Sequence, residues 1–169
     1  MANSKFHHEE IYRGKDLVKK LQSHRITICG AGALGSNLAD TLARQGFTNI
    51  KIIDKDRVES HNINCQVYGE MDIGALKCDA LKNKVFRHVG VELEAVNKEL
   101  TLSNAKSLLK GSTLVVDVFD NSVSRKLVQD ECRRAKIPCL HAGLQETYGE
   151  CCHDVWYRIP KDGGVEVCD

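Results

Sequence analysis

One short segment constrains this chain more than any other. Residues 25–29, Arg-Ile-Thr-Ile-Cys, are apolar and β-branched in the manner of a buried strand. They run directly into Gly30-Ala31-Gly32-Ala33-Leu34-Gly35, and residues 36–45 then carry Leu38, Ala39 and Leu42 at helical spacing. Gly46 is placed to stop that helix, and residues 50–54 form a second strand ending in Asp54. A strand, a G-x-G-x-x-G turn, a helix and an acid-tipped strand make a βαβ unit. Each glycine has a separate task. Gly30 permits the tight turn, Gly32 lets backbone approach a phosphate, and Gly35 lets helix and strand pack closely. Amide N–H groups at the helix start favour an anion, and the Asp54 carboxylate suits ribose hydroxyls. The unit therefore predicts nucleotide binding. No G-x-x-x-x-G-K-S/T phosphate loop occurs in the chain.

The rest of the chain continues the alternation. The spacing predicts helices over 15–24 (with Leu17, Val18 and Leu21 on one face), 72–86, 102–109 and 123–135. It predicts strands over 91–96, 113–117 and 137–141, and an antiparallel or edge strand over 156–159. The expected fold is α/β: a Rossmann-like, doubly wound, mostly parallel sheet with helices on both faces. The expected division is an N-terminal helical segment over 1–24 and a nucleotide-binding domain over 25–169, which is compatible with 169 residues forming one core.

Composition removes several alternatives. With 24 basic and 23 acidic residues, the chain shows no bias toward nucleic acid or a membrane surface. No stretch is long and apolar enough to span a bilayer, and the polar start is unlike a secretion signal, so a cytoplasmic protein is expected. Eight cysteines are present without any Cys-x-x-Cys pair, which argues against a zinc ribbon. Cys151, Cys152, His153 and Cys168 could form an irregular metal site, but ordinary thiols are the favoured reading and zinc is not expected.

The motifs beyond the glycine loop are specific as an ordered set. Asp54-Lys-Asp56-Arg57-Val58-Glu59 leads to Asn62-Ile-Asn64-Cys65-Gln66, then to Asp72-Ile-Gly74-Ala-Leu-Lys77, and later to Asp117-Val-Phe-Asp120-Asn121. Cations and carboxylates at strand ends and helix starts suit a polyphosphate with magnesium better than an apolar nicotinamide pocket. From about Ile26 to Gly143 this order resembles the ThiF/MoeB/HesA family, which is ubiquitin-activating-enzyme-like. That resemblance implies an adenylyltransferase using ATP and Mg2+ on the C-terminal carboxylate of a small ubiquitin-like or sulfur-carrier protein, working as a homo- or heterodimer. It places Gly30, Gly32 and Gly35 against the nucleotide, Asp54 on the ribose, and Asn64 and Gln66 beside the phosphates. Lys77 would offset charge on the transferring phosphoryl group. Asp120 would hold magnesium, and Asn121 would shape the adenine or substrate side.

Two departures matter. The family's N-x-N-R-Q arginine is Cys65 here, which removes a bidentate phosphate donor, and Arg13, Arg57 or a partner's residue would have to replace it. Family members also continue past the point matching Asp169, often with a zinc site or a catalytic cysteine, so no such cysteine is assigned. Three other readings stay open. One is a non-catalytic nucleotide-binding subunit of a heterodimer. Another is an NAD-dependent oxidoreductase, and the third is the family branch that adenylates and dehydrates a tRNA base.

Overall fold

The computed structural model describes residues 4–145 and 148–153. Five strands run parallel: β1 (Arg25–Cys29), β2 (Asn49–Ile53), β3 (Glu94–Val96), β4 (Leu114–Asp117) and β5 (Cys139–Gln145). A sixth, β6 (Tyr148–His153), pairs antiparallel with β5, and the sheet order is β3-β2-β1-β4-β5-β6. The chain leaves β1 toward β2 on one side and later returns to pair β4 on the other. That reversal of strand order opens a crevice beyond the strand ends, where ligands bind in this architecture.

Alternation along the central strands builds a core on each face. Ile26 and Ile28 of β1, with Ile50 and Ile52 of β2, pack against α3 (Ala33–Arg44) and α4 (Lys77–Val89). Cys29, Ile53 and Val115 point the other way, toward α5 (Ala105–Leu109) and α6 (Ser122–Ala135). Helices cover both faces, as the doubly wound expectation required. Two helices precede β1 within the segment expected to be helical over 1–24: α1 (His7–Arg13), for which no spacing is read, and α2 (Lys15–Ser23). Phe6 and Val18 join the core below Gly46, while Leu17, expected on the same buried face as Val18, is 40% exposed.

Several boundaries differ from expectation. The helix predicted over 72–86 begins at Lys77. Residues 70–72 instead form a short 3-10 turn, Gly74 takes a positive φ of 86°, and Leu76 bridges to Arg57. The strand predicted over 137–141 runs from 139 to 145 and turns back as β6, a hairpin that the sequence reading missed. The strand expected over 156–159 lies outside the described residues. Among the described residues, no helix is long and apolar enough to cross a membrane.

Candidate nucleotide site

A cavity of about 1110 Å³ lies beyond the carboxyl ends of the strands. Its walls come from the loops after β1, β2, β3 and β4 and from residues 142–144 of β5. Gly30, Gly32, Asp54, Gln66, Lys77, Asp120 and Asn121 all line it, so residues scattered over ninety positions of sequence meet in one place.

The glycine loop is held rigidly. Gly30 has φ 110°, and its N–H donates to the Ile53 carbonyl at 2.9 Å. A Cβ there would lie 3.0 Å from the Val118 carbonyl oxygen. Gly35 does not line the cavity. It packs on the loop itself, where an added Cβ would fall 1.9 Å from the Gly30 carbonyl oxygen. Gly32 differs from both, because a Cβ there would meet nothing within 4 Å. Gly32 is the N-cap of α3 and supplies no side-chain cap, so the first amides of a twelve-residue helix face the cavity end without a side-chain acceptor. An uncapped helix start of this kind can receive an anion.

Asp54 braces this loop. Its Oδ2 accepts the Ala31 N–H at 2.7 Å and its Oδ1 accepts the Asp56 N–H at 2.8 Å. Tyr68, nearly fully buried, donates its hydroxyl to the Ala31 carbonyl at 2.8 Å. Burial, reinforced by the Asp54 charge, pushes the Tyr68 phenol up, so it stays a neutral donor. The Cys78 thiol, which contacts the Asp54 and Val96 carbonyls, is pushed up to about 12 by burial first and by Asp54 second.

Residues 60–66 form the next wall. Asn62 is buried and accepts the Glu59 N–H at 2.9 Å, and both Asn62 and Cys65 line the cavity. Asn64 does not: it is exposed, on the outer side of the turn. Gln66 lines the cavity with its Oε1 buried and lacking a protein partner, an amide end that a ligand can satisfy. Cys65 sits where the family arginine would be, and its carbonyl is tied to Asn37 of α3 at 3.2 Å.

Lys77 opens α4 with its side chain 10% exposed, and its Nζ lies 3.5 Å from Asp56 Oδ2. It is a nearly buried cation facing a cavity that also contains the helix start. Asp120 is exposed and lines the same cavity. The α6 N-cap is Asn121, whose Oδ1 accepts the Ser124 N–H at 2.9 Å, so Asp120 is not used as the cap. No group of three metal-type ligands occurs among the described residues. Asp120 is a cavity-lining carboxylate that could hold a divalent ion together with oxygens brought by a nucleotide.

Behind the Asp120 loop is a buried trio absent from the sequence reading as a unit. Asp117 is fully buried, His141 Nδ1 lies 2.8 Å from its Oδ2, and Arg125 Nε lies 3.4 Å from the same oxygen. Arg125, which the sequence alone leaves open between a surface and a fold-stabilising residue, is buried here. Its recognisable signal is a cation in the first turn of the helix, eight residues after the aspartate that ends β4.

Comparison with known proteins agrees with this geometry. The ThiF family pattern matches residues 7–168. The SAMP-activating enzyme E1 of Haloferax volcanii is 30% identical over 88% of this chain and 59% of its own length. The sulfur carrier protein ThiS adenylyltransferase of Bacillus subtilis is 30% identical over 89% of this chain and 48% of its own length. The chain thus spans about half the length of these relatives. The E. coli tRNA N6-threonylcarbamoyladenosine dehydratase TcdA, solved in complex with ATP, superposes with a TM-score of 0.77. It is 25% identical, over 81% of this chain and 58% of that one. By sequence pattern, sheet order and glycine-loop geometry together, the chain belongs to the ThiF family.

Proposed function

We propose that this chain adenylates a carboxylate with ATP, releasing pyrophosphate, and that the carboxylate is the C-terminus of a small ubiquitin-like or sulfur-carrier protein. The observation that supports it most is one cavity holding an uncapped helix start, the nearly buried cation Lys77 and the exposed carboxylate Asp120. In the proposed step a carboxylate oxygen attacks the α-phosphorus, a new P–O bond forms, and the bond to the β-phosphate oxygen breaks. The chain's part is to position the reactants and offset the spreading charge. The amides after Gly32 receive phosphate oxygens, Asp54 keeps the loop in place and meets the ribose, and Gln66 and Asn121 border the nucleotide. Lys77 neutralises the phosphoryl oxygens as a point cation. Magnesium, held through Asp120 and the phosphates, would supply further charge neutralisation at the leaving group.

The relatives' names support this reading, and it implies a cytoplasmic site of action. A second subunit is part of the proposal. Ile11 and Tyr12 on α1 are 69% and 82% exposed, and Cys65 leaves the phosphate end short of an arginine that a partner could supply. Light scattering should give a dimer, with the homodimer the commonest form; a monomer at high micromolar concentration would count against it. Cys65 also favours one competing reading, a nucleotide-binding subunit without activity of its own. ATP–pyrophosphate exchange against a panel of carrier proteins separates the two. Saturable NAD binding without ATP binding in calorimetry would overturn both.

A further inference from the structure

The buried trio behind the site connects two cavity walls that are distant in sequence. Asp117 uses both carboxylate oxygens. Oδ1 accepts the Phe119 N–H at 3.2 Å, bending the chain into the loop that carries Asp120 and Asn121. Oδ2 faces Arg125 and His141. Arg125 reaches further: its Nη2 donates to the Ala142 carbonyl on β5. A Cβ on Gly143 would come 3.0 Å from Arg125 Nη1, so the guanidinium lies flat against a strand position with no side chain. Arg125, Ala142 and Gly143 all border the cavity, and the Arg125 side chain is only 8% exposed.

We propose that Arg125 is a positioning residue that sets the gap between the Asp120 loop and the Gly143 wall, through its two separate donors to Asp117 and to the Ala142 carbonyl. This rests on the adenylation reading only for its consequence, which is the alignment of the acceptor with the phosphoryl group opposite Asp120. The geometry itself makes a narrower claim. A residue that merely neutralised buried Asp117 could be replaced by lysine. A residue that holds two walls at once could not, because an ammonium lacks the planar fork that serves two acceptors in different directions. Gly143 belongs to the same device, since any side chain there would push the guanidinium away from the strand.

The test is amide hydrogen exchange on the full chain, read by mass spectrometry, for wild type, Arg125→Lys and Gly143→Ala. Loss of a charge-assisted hydrogen bond should speed exchange over residues 142–144 by about tenfold or more in Arg125→Lys. Gly143→Ala should do the same to a smaller degree. Exchange over β1, residues 25–29, should stay as in wild type, because neither substitution touches that strand. If Arg125→Lys exchanges like wild type over 142–144, or loosens β1 equally, the positioning role is overturned. Pyrophosphate exchange on the wild type is scored separately. Its absence across the carrier panel would sink the adenylation reading, while the amide measurement still decides the role of Arg125.

Discussion

The carboxylate of Asp54 accepts the backbone N–H of Ala31 at 2.7 Å, so the acid at the end of β2 braces the glycine loop at the end of β1. An acid expected to meet a ribose is first a structural clamp on the residue between Gly30 and Gly32. Asp54→Asn replaces one acceptor with an NH2 group and leaves a buried N–H without a partner. The expected cost is about 1–3 kcal/mol of stability, with weaker ATP binding because the loop is no longer held. Denaturant unfolding and calorimetry check both, and an unchanged midpoint would refute the clamp.

Gly32 and Gly35 should separate folding from binding. Alanine at Gly35 places a methyl 1.9 Å from the Gly30 carbonyl oxygen, a clash of backbone that cannot swing aside. Destabilisation of about 3 kcal/mol or more is expected, or failure to fold. Alanine at Gly32 meets nothing within 4 Å and has φ −78°, so the melting temperature should hold. ATP affinity should nevertheless fall, because the methyl occupies the open side of the helix start. A Gly32→Ala variant that binds ATP as well as wild type would remove this glycine from the phosphate site.

Lys77 and Asp120 decide whether the cavity is catalytic. If it is, Lys77→Ala and Asp120→Ala should each lower pyrophosphate exchange on the order of 100-fold, since each removes a preorganised charge from the transition state. ATP binding should fall much less for Lys77→Ala. If the wild type is inactive, Cys65→Arg should restore exchange where the missing guanidinium is the lesion. An active wild type indifferent to both alanine substitutions would refute the site and leave the fold intact.

Alkaline pH should weaken the fold through Cys78. Its thiol is pushed up to about 12 from an ordinary 9.0, mainly by burial. Between those values the unfolded chain releases the proton and the folded chain keeps it, so stability is full below pH 9 and declines as pH rises toward 12. Urea midpoints measured from pH 8 to about 11 should fall for wild type, and fall less steeply for Cys78→Ala. Equal slopes would show that the thiol does not titrate with folding. Exposed Cys65 and Cys151 should react with a thiol reagent in the native state, whereas buried Cys29, Cys132 and Cys139 should not.

Much of the molecule is a local property of its sequence. A left-handed turn at Gly30, the helix period of 33–44 and the acid closing β2 are set by φ preferences and side-chain spacing over a few residues, so the βαβ unit and the doubly wound sheet could be read directly. The ordered motifs, read through the family resemblance, put Gln66, Lys77, Asp120 and Asn121 in one site, and all four line one cavity. Register and burial decided the rest. Asn62 and Asn64 differ by two positions of similar chemistry, and only the 3-10 turn at 60–62 puts the first inside and the second in solvent. The helix expected from residue 72 starts at 77 because Leu76 is drawn into a bridge with Arg57. Asp117 meets His141 only because β4 and β5 align those two residues, and Arg125 reaches them from a helix that folds back over the strands. Such pairings join residues 8 and 24 positions apart through sheet register and packing, which no local pattern encodes.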